Sequence, residues 1–398
     1  MKARVQEGGP SPTLLVVFYA NPDRYPPTRN AILLFRERFR VHLVCRNNAD
    51  PASTTWPDDV RVERVGAPAS DREKATAPAA AKTLEYLAFV RAVRRALSAD
   101  RPRVVYAYEP HALSALALAG CRAPIVYHRH ESEEEGSFPW RSLQTWILAL
   151  ARHQARRTSL VVFPEQRRAE TYQRLAGDPR PVLLVPNFPL LSAFPPPSPW
   201  PAILDARWRE RVVLYRGAIG RDNGILQMVR ALPHLDPGIS LRLCGGATPE
   251  FEREIQTLAA GLGVASRVRY DGFVPFDRLN RETVAAAAGM VLYQQIHANN
   301  EFNVSATNKL YEYAACGVPV VMPGSRGYRD FFAGESWVEH ADPADPASVA
   351  AALQRLFADR GRYEERCQAA RRAFEVRFNF DAVFAPLLDR VVALAGDG

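Results

Sequence analysis

Short apolar runs alternate with amphipathic stretches along most of this chain. Leu14–Tyr19, Arg40–Cys45, Val104–Tyr108, Ile125–Arg129, Leu160–Phe163 and Val182–Val185 have the length and character of buried strands. Helical patterns such as Thr83–Ala99 lie between them. A second series follows, with strands expected at Val212–Tyr215, Ser240–Cys244, Val268–Tyr270, Met290–Tyr293 and Val318–Met322. Strands that are apolar on both faces and separated by helices predict parallel sheets with helices on either side. Between the two series, residues 186–201 are dense in proline, which predicts a linker. The pattern thus divides the chain into an α/β domain over residues 1–190, a linker over 191–211, a second α/β domain over 212–377 and a closing helix over 378–398. Val383, Phe384, Leu387, Leu388, Val391 and Val392 form an apolar stripe on that helix.

Composition narrows the class. The 398 residues exceed one ordinary core, and 47% apolar with 24% charged residues is globular. The longest apolar runs are strand-length and the N-terminus has no signal-like segment, so a cytoplasmic protein is expected. Cys45, Cys121, Cys244, Cys316 and Cys367 are scattered, with no Cys/His cluster, so neither disulfides nor a zinc site are expected. The net charge of +8 favours anionic partners. The basic residues are diluted and no nucleic-acid motif is present, which points away from nucleic acid. Nucleotide phosphates or an anionic membrane surface suit the charge.

Of 51 basic residues, only Lys2, Lys74, Lys82 and Lys309 are lysines. A chain this committed to arginine that places a lysine at 309 suggests a need for a compact ammonium, the form of charge that suits a phosphate. Glu312 shares its helix face, where a surface ion pair is the ordinary alternative. The segment from Ser305 through Asn308, Lys309, Glu312 and Tyr313 to Ala315-Cys316-Gly317-Val318-Pro319-Val320-Val321 resembles the donor-binding signature of glycosyltransferase family 4. Tyr215-Arg216-Gly217, Cys244-Gly245-Gly246, Asp271-Gly272-Phe273-Val274, Tyr25-Pro26-Pro27-Thr28-Arg29-Asn30 and Pro186-Asn187 resemble further segments of that family.

The resemblance implies the GT-B architecture: two Rossmann-like domains facing across a cleft, with the final helix crossing back onto the first. It implies acceptor binding in the first domain and a nucleotide-diphosphate sugar in the second, with UDP as the family-weighted base. It assigns His130 to the transferred sugar, Lys309 to the diphosphate and Glu312 to the ribose, with no metal and no further cofactor. Donor contacts are expected from Arg216, Gly217, Arg221, Gly245, Gly246, Phe273, Val274, Glu301, Asn303, Ser305 and Asn308, and acceptor contacts from Arg29, Asn30, His128 and Glu131.

Each candidate has a plainer reading. His128 is a packed strand residue, and Arg216 and Arg221 are solvated loop charges. Gly245-Gly246 is a tight turn, and Ser305 and Asn308 cap the helix near 308. Glu301 and Asn303 form a polar loop tip. Glu131 begins an acidic run that is either solvated or reads a cationic acceptor. Trp140, Leu143, Trp146, Ile147 and Leu150 predict a core-facing helix, or else a membrane contact for a lipid-linked acceptor. The chain also departs from the family. Ala218 and Asn223 stand where an Arg and a Lys are common, and Val304 stands where a first glutamate is often found. The expected function is retaining glycosyl transfer to a small-molecule, saccharide or lipid-linked hydroxyl. A non-catalytic nucleotide-sugar binder and a nucleotide-sugar epimerase are the rivals.

Overall fold

The computed structural model describes residues 11–48, 55–130, 142–294 and 303–396. It falls into two compact units, Met1–Pro186 with Val383–Gly398, and Asn187–Ala382.

The first unit is a seven-stranded parallel sheet. Its strands are β1 (Thr13–Phe18), β2 (Arg40–Asn48), β3 (Val60–Ala69), β4 (Val104–Tyr108), β5 (Ile125–His128), β6 (Leu160–Phe163) and β7 (Val182–Leu184), in the order β3-β2-β1-β4-β5-β6-β7. β1 is buried along its whole length because neighbours pair on both sides and helices cover both faces. β3 went unread in the sequence. Its Arg61, Glu63 and Arg64 interrupt the apolar run, as suits an edge strand exposed on one side. Helix Phe380–Gly396 joins this unit from Val383 onward, where Phe384 packs edge-on against Phe35 at 5.0 Å. Phe384, Leu387 and Val391 of its stripe are buried, and Val392 is exposed.

The second unit is a six-stranded parallel sheet of β8 (Val212–Arg216), β9 (Ser240–Cys244), β10 (Val268–Gly272), β11 (Ala288–Met290), β12 (Val320–Pro323) and β13 (Val338–Ala341), ordered β10-β9-β8-β11-β12-β13. β13 is a four-residue edge strand too short to give a pattern. β11 ends at Met290, earlier than its apolar run implies, with one further backbone bond from Val291 to the Val321 carbonyl (2.9 Å).

The proline-dense stretch does not hang free as a tether. Phe188 lies on Tyr311 with centroids 4.1 Å apart, and Phe188, Leu190 and Phe194 are buried in the second unit. The stretch then runs into helix Trp200–Glu210, which carries Arg207 at zero exposure. That guanidinium donates to the carbonyls of Val284 (2.8 Å), Gly317 (2.6 Å) and Cys316 (2.8 Å). A buried charge is tolerated there because three carbonyls solvate it. Among the described residues, no helix is long and apolar enough to cross a membrane.

Both strand orders reverse direction once, between β1 and β4 and between β8 and β11. In open parallel sheets the carboxyl ends at such a reversal leave a crevice where ligands bind. Arg207→Ala strands the carbonyls it serves. It is expected to lower unfolding free energy by about 3–5 kcal/mol, measured by urea denaturation, because hydrogen bonds to charged groups contribute roughly 1.5–3 kcal/mol each and act together here.

Candidate functional site

In the second unit, helix Asn308–Ala315 stands against the β8 edge of the reversal. Tyr313 pins it there: its hydroxyl donates to the Leu214 carbonyl (2.8 Å) and accepts the Arg216 amide (3.1 Å). The ring reaches β8 over Gly289, where a Cβ would lie 2.6 Å from it. Tyr311 fixes the other side by donating to the Val304 carbonyl at 2.6 Å.

So anchored, the helix delivers Lys309 and Glu312. The Lys309 Nζ donates to the Tyr215 hydroxyl at 2.6 Å and lies over the Tyr215 and Tyr293 rings at 4.3 and 5.1 Å. It stands 3.3 Å from where a Cβ on Gly217 would be, and Gly217 has φ +110°. Burial, with Tyr293 and Tyr313 nearby, holds the Tyr215 phenol far above its ordinary pKa. It therefore stays a hydroxyl that accepts from Lys309 and donates to the Ala218 carbonyl (2.7 Å). Among the described residues Lys309 has no carboxylate partner.

Several of the expected residues have partners within the protein. Arg216 is buried, not solvated, and its guanidinium binds Glu312 (3.0 Å), Thr283 (2.8 Å) and Asn280 (3.3 Å). Arg216 therefore orients Glu312 and is not a free loop charge. Arg221 is drawn off to Glu254 and the Phe251 ring. The amides of Gly217 and Ile219 are spent on the Cys244 and Gly246 carbonyls. The Asn223 side chain accepts the Gly220 amide at 3.1 Å and so shapes the turn. Gly245 is required by the protein itself, since a Cβ there would lie 1.7 Å from the Gly217 carbonyl oxygen, whereas Gly246 faces open space. The helix cap falls to Thr307, with no side-chain cap bond, so neither Ser305 nor Asn308 caps it. Ser305 is buried, and its carbonyl takes the Asn187 amide at 3.0 Å. Asn303 is half-buried. Phe273 is 81% exposed just past β10, and Val274 beside it is buried. Glu301 lies outside the described residues.

In the first unit, His130 follows β5, and its ring reaches Phe18 and Tyr108 at the carboxyl ends of β1 and β4, the strands of the other reversal. Its ring is buried and lies between Tyr108 (5.3 Å, 11°) and Tyr25 (5.8 Å, 24°). Nε2 is 3.0 Å from the Thr28 hydroxyl, and Nδ1 has no partner among the described residues. Burial pushes its pKa down to about 3, helped by the Arg168 charge, so the imidazole is neutral near pH 7. His128 is fully buried and meets the Tyr106 hydroxyl at 2.8 Å, the geometry of a packed strand residue. Arg29 is exposed and Asn30 half-buried on helix Pro26–Phe35. Glu131 lies outside the described residues. Asn21 and Glu165, also at strand ends, serve as helix caps.

Sequence reading missed Thr28, Tyr215, Tyr293, Tyr313 and Glu109. The tyrosines left one signal: a phenol within an apolar run needs a partner for its hydroxyl. For Tyr313 and for the Tyr215–Lys309 pair the partner lies 99 and 94 residues away and leaves no local trace.

Residues 29–187 match the model of the Glycosyl transferase 4-like domain, and residues 221–389 match that of a Glycosyl transferase-like domain. The chain belongs to the family 4 type of glycosyltransferases. Among curated proteins, the chain is 32% identical over 232 residues to the D-inositol 3-phosphate glycosyltransferase of Xylanimonas cellulosilytica, covering 56% of this chain and 54% of that protein. It is 23% identical to an uncharacterized glycosyltransferase of Methanocaldococcus jannaschii, covering 47% and 49%. The chain thus spans about half the length of the curated relatives it matches. Among solved structures it resembles sucrose-phosphate synthase from Thermosynechococcus elongatus (TM-score 0.72, 18% identity, 97% of this chain and 100% of that one). It also resembles Anabaena HepE in complex with UDP (TM-score 0.70, 19% identity, 96% and 100%). At these identities the likeness is one of fold, GT-B.

The buried imidazoles set an acid limit on the first unit. His128, His130 and His111 all have pKa values lowered by burial, His130 to about 3 and His111 to about 4. In the unfolded chain each binds a proton near pH 6.5, so the unfolded state holds more protons between about pH 6.5 and 3. Stability is therefore present above that window and is lost as pH falls through it, by about 1.4 kcal/mol per pH unit per histidine once the unfolded form is protonated. Urea unfolding of His130→Gln between pH 6 and 4 is expected to show a slope shallower by one such increment.

Proposed function

We propose that the protein is a retaining glycosyltransferase that moves a sugar from a nucleotide diphosphate, with UDP as the base, to an acceptor hydroxyl. The observation that carries this reading is the Lys309 ammonium. It is held over Gly217 at the crevice of the second sheet, steadied by a neutral tyrosine and free of any described carboxylate. Arg216 and Arg221 are committed elsewhere, and Ala218 and Asn223 bring no charge, so Lys309 takes the diphosphate. Glu312, aligned by Arg216, accepts from the ribose hydroxyls. Phe273 offers an exposed ring to the base. Solved neighbours in complex with UDP and with UDP-glucose support the choice of donor.

The acceptor oxygen bonds to the anomeric carbon as that carbon's bond to the diphosphate oxygen breaks, on the same face. The bonding pair stays on the diphosphate, and the hydroxyl proton passes to the departing oxygen. Catalysis then consists of orientation and of charge stabilisation at the leaving group by Lys309, with no metal invoked. The neutral His130 imidazole hydrogen-bonds the transferred sugar. The acceptor is a small molecule, a saccharide or a lipid-linked sugar.

Calorimetric titration of UDP, GDP, TDP and ADP tests this. UDP is expected to bind, and Lys309→Ala to weaken it about 10- to 100-fold, the effect of one charge-assisted hydrogen bond. Lys309→Arg should not restore affinity, because a planar fork cannot replace a point charge over Gly217. Arg221→Ala should leave affinity unchanged. Failure of every nucleotide to bind would sink the reading.

The helix Leu143–Ala155 bears on where the acceptor resides. Ile147, Ala151 and Ala155 face the core, but Trp146 is 70% and Leu143 37% exposed, so its apolar residues do not all face inward as the spacing implies. Arg152, Arg156 and Arg157 are exposed beside them. A tryptophan among arginines suits the interface of an anionic bilayer, and with it a lipid-linked acceptor. Vesicles containing phosphatidylglycerol should blue-shift the tryptophan emission and phosphatidylcholine vesicles should not. Trp146→Ser should lose the shift, and a shift that persists in that variant would refute the contact.

A further inference from the structure

Glu109 combines two features that its position in the chain does not explain. It follows β4 directly and opens helix Glu109–Ala119, yet its φ is +65°, in the left-handed region where glycine is at ease and other residues are strained. Its carboxylate leaves its own helix and accepts the backbone amide of His130 at 2.6 Å. An acidic residue in the first turn of a helix commonly serves the helix dipole, and that role requires neither feature.

His130 is gripped from its other end as well. The Arg168 guanidinium donates to the His130 carbonyl, and the Arg168 amide is in turn fixed by the Glu165 carboxylate at 3.0 Å. The Glu109 carboxylate also lies 3.9 Å from the Arg129 guanidinium, so its charge is balanced. Opposite charges thus hold the two peptides flanking His130, one at its N–H and one at its C=O. The ring they carry sits between Tyr25 and Tyr108 with Nε2 at Thr28. Rotation of either peptide would move the imidazole out of that slot.

We propose that Glu109 is a positioning residue for His130. Together with Arg168 it clamps the His130 backbone, so that the neutral imidazole meets the transferred sugar without reorganising. The strained φ places the carboxylate under the His130 amide. The inference rests on the role given above to His130, and a misplacement of about 1 Å at a reacting centre costs on the order of 100-fold in rate.

The test measures kcat, the donor KM and thermal unfolding for Glu109→Gln, Glu109→Ala and Glu109→Gly, together with the ¹⁵N spectrum of the His130 ring. Gln keeps an acceptor for the amide and is expected to retain most of kcat. Ala and Gly remove it and are expected to lower kcat about 10- to 100-fold at unchanged KM, since the clamp acts in the transition state. Gly also relieves the backbone strain, so its Tm should be no lower than that of the unaltered protein despite the loss of rate. A residue of merely structural importance would lose rate and Tm together. Full kcat in the Gly variant, or rate losses that track Tm across the series, would overturn the proposal. If the unaltered protein transfers no sugar to any acceptor, the transferase reading fails by itself. The ring spectrum then decides the clamp: Nε2 and Nδ1 resonances identical in the Gly and unaltered proteins overturn it, and displaced ones support it.

Discussion

One phenol holds the second unit's chemistry in place. The Tyr313 hydroxyl enters the β8 backbone, donating to one carbonyl and accepting the next amide but one, and Gly289 makes room for its ring. A buried phenol with both hydrogen-bond roles filled is fixed in depth and in rotation. The helix that carries it is therefore fixed too. Lys309, four residues before Tyr313, comes to rest over Gly217, and Glu312, the residue before it, meets Arg216. Loosening Tyr313 would release both site residues at once.

The first unit solves the same problem with different parts. Its candidate side chain, His130, lies just beyond a strand, where ladder hydrogen bonds no longer hold the chain. Charged side chains take over, from Glu109 at one peptide and Arg168 at the next. The environment also determines what the imidazole can be. Burial among Tyr25, Tyr108 and Phe18 keeps it neutral, so it serves as a hydrogen-bonding group and not as a charge. In each unit the group proposed to meet substrate is held in place by neighbours with no such role.

The sequence pattern was informative where the physics is local. Strands buried on both faces announced themselves by unbroken apolar runs, and parallel pairing followed from the helices between them. β3 and β13 escaped because edge strands expose a face and need no such run. Lys309 stood out through composition, as a lysine in a chain that otherwise chooses arginine. Arg216 and Arg221 had the same standing in the sequence. One is buried on Glu312 and the other lies on the surface with Glu254.

By itself, then, the sequence determined two parallel α/β units, and through its resemblance to a family it offered a list of candidate side chains for a nucleotide sugar. The units follow from periodicity, which acts within a few residues, and the candidates from what the resemblance implies. Tertiary structure decided which members of that list are free to act. Whether a guanidinium faces a ligand or a glutamate depends on a partner far along the chain. Which glycine serves a ligand and which serves the backbone depends on what a Cβ would strike. The role of Glu109 was legible only in space, because neither its dihedral angle nor its distance to His130 is written in residue order.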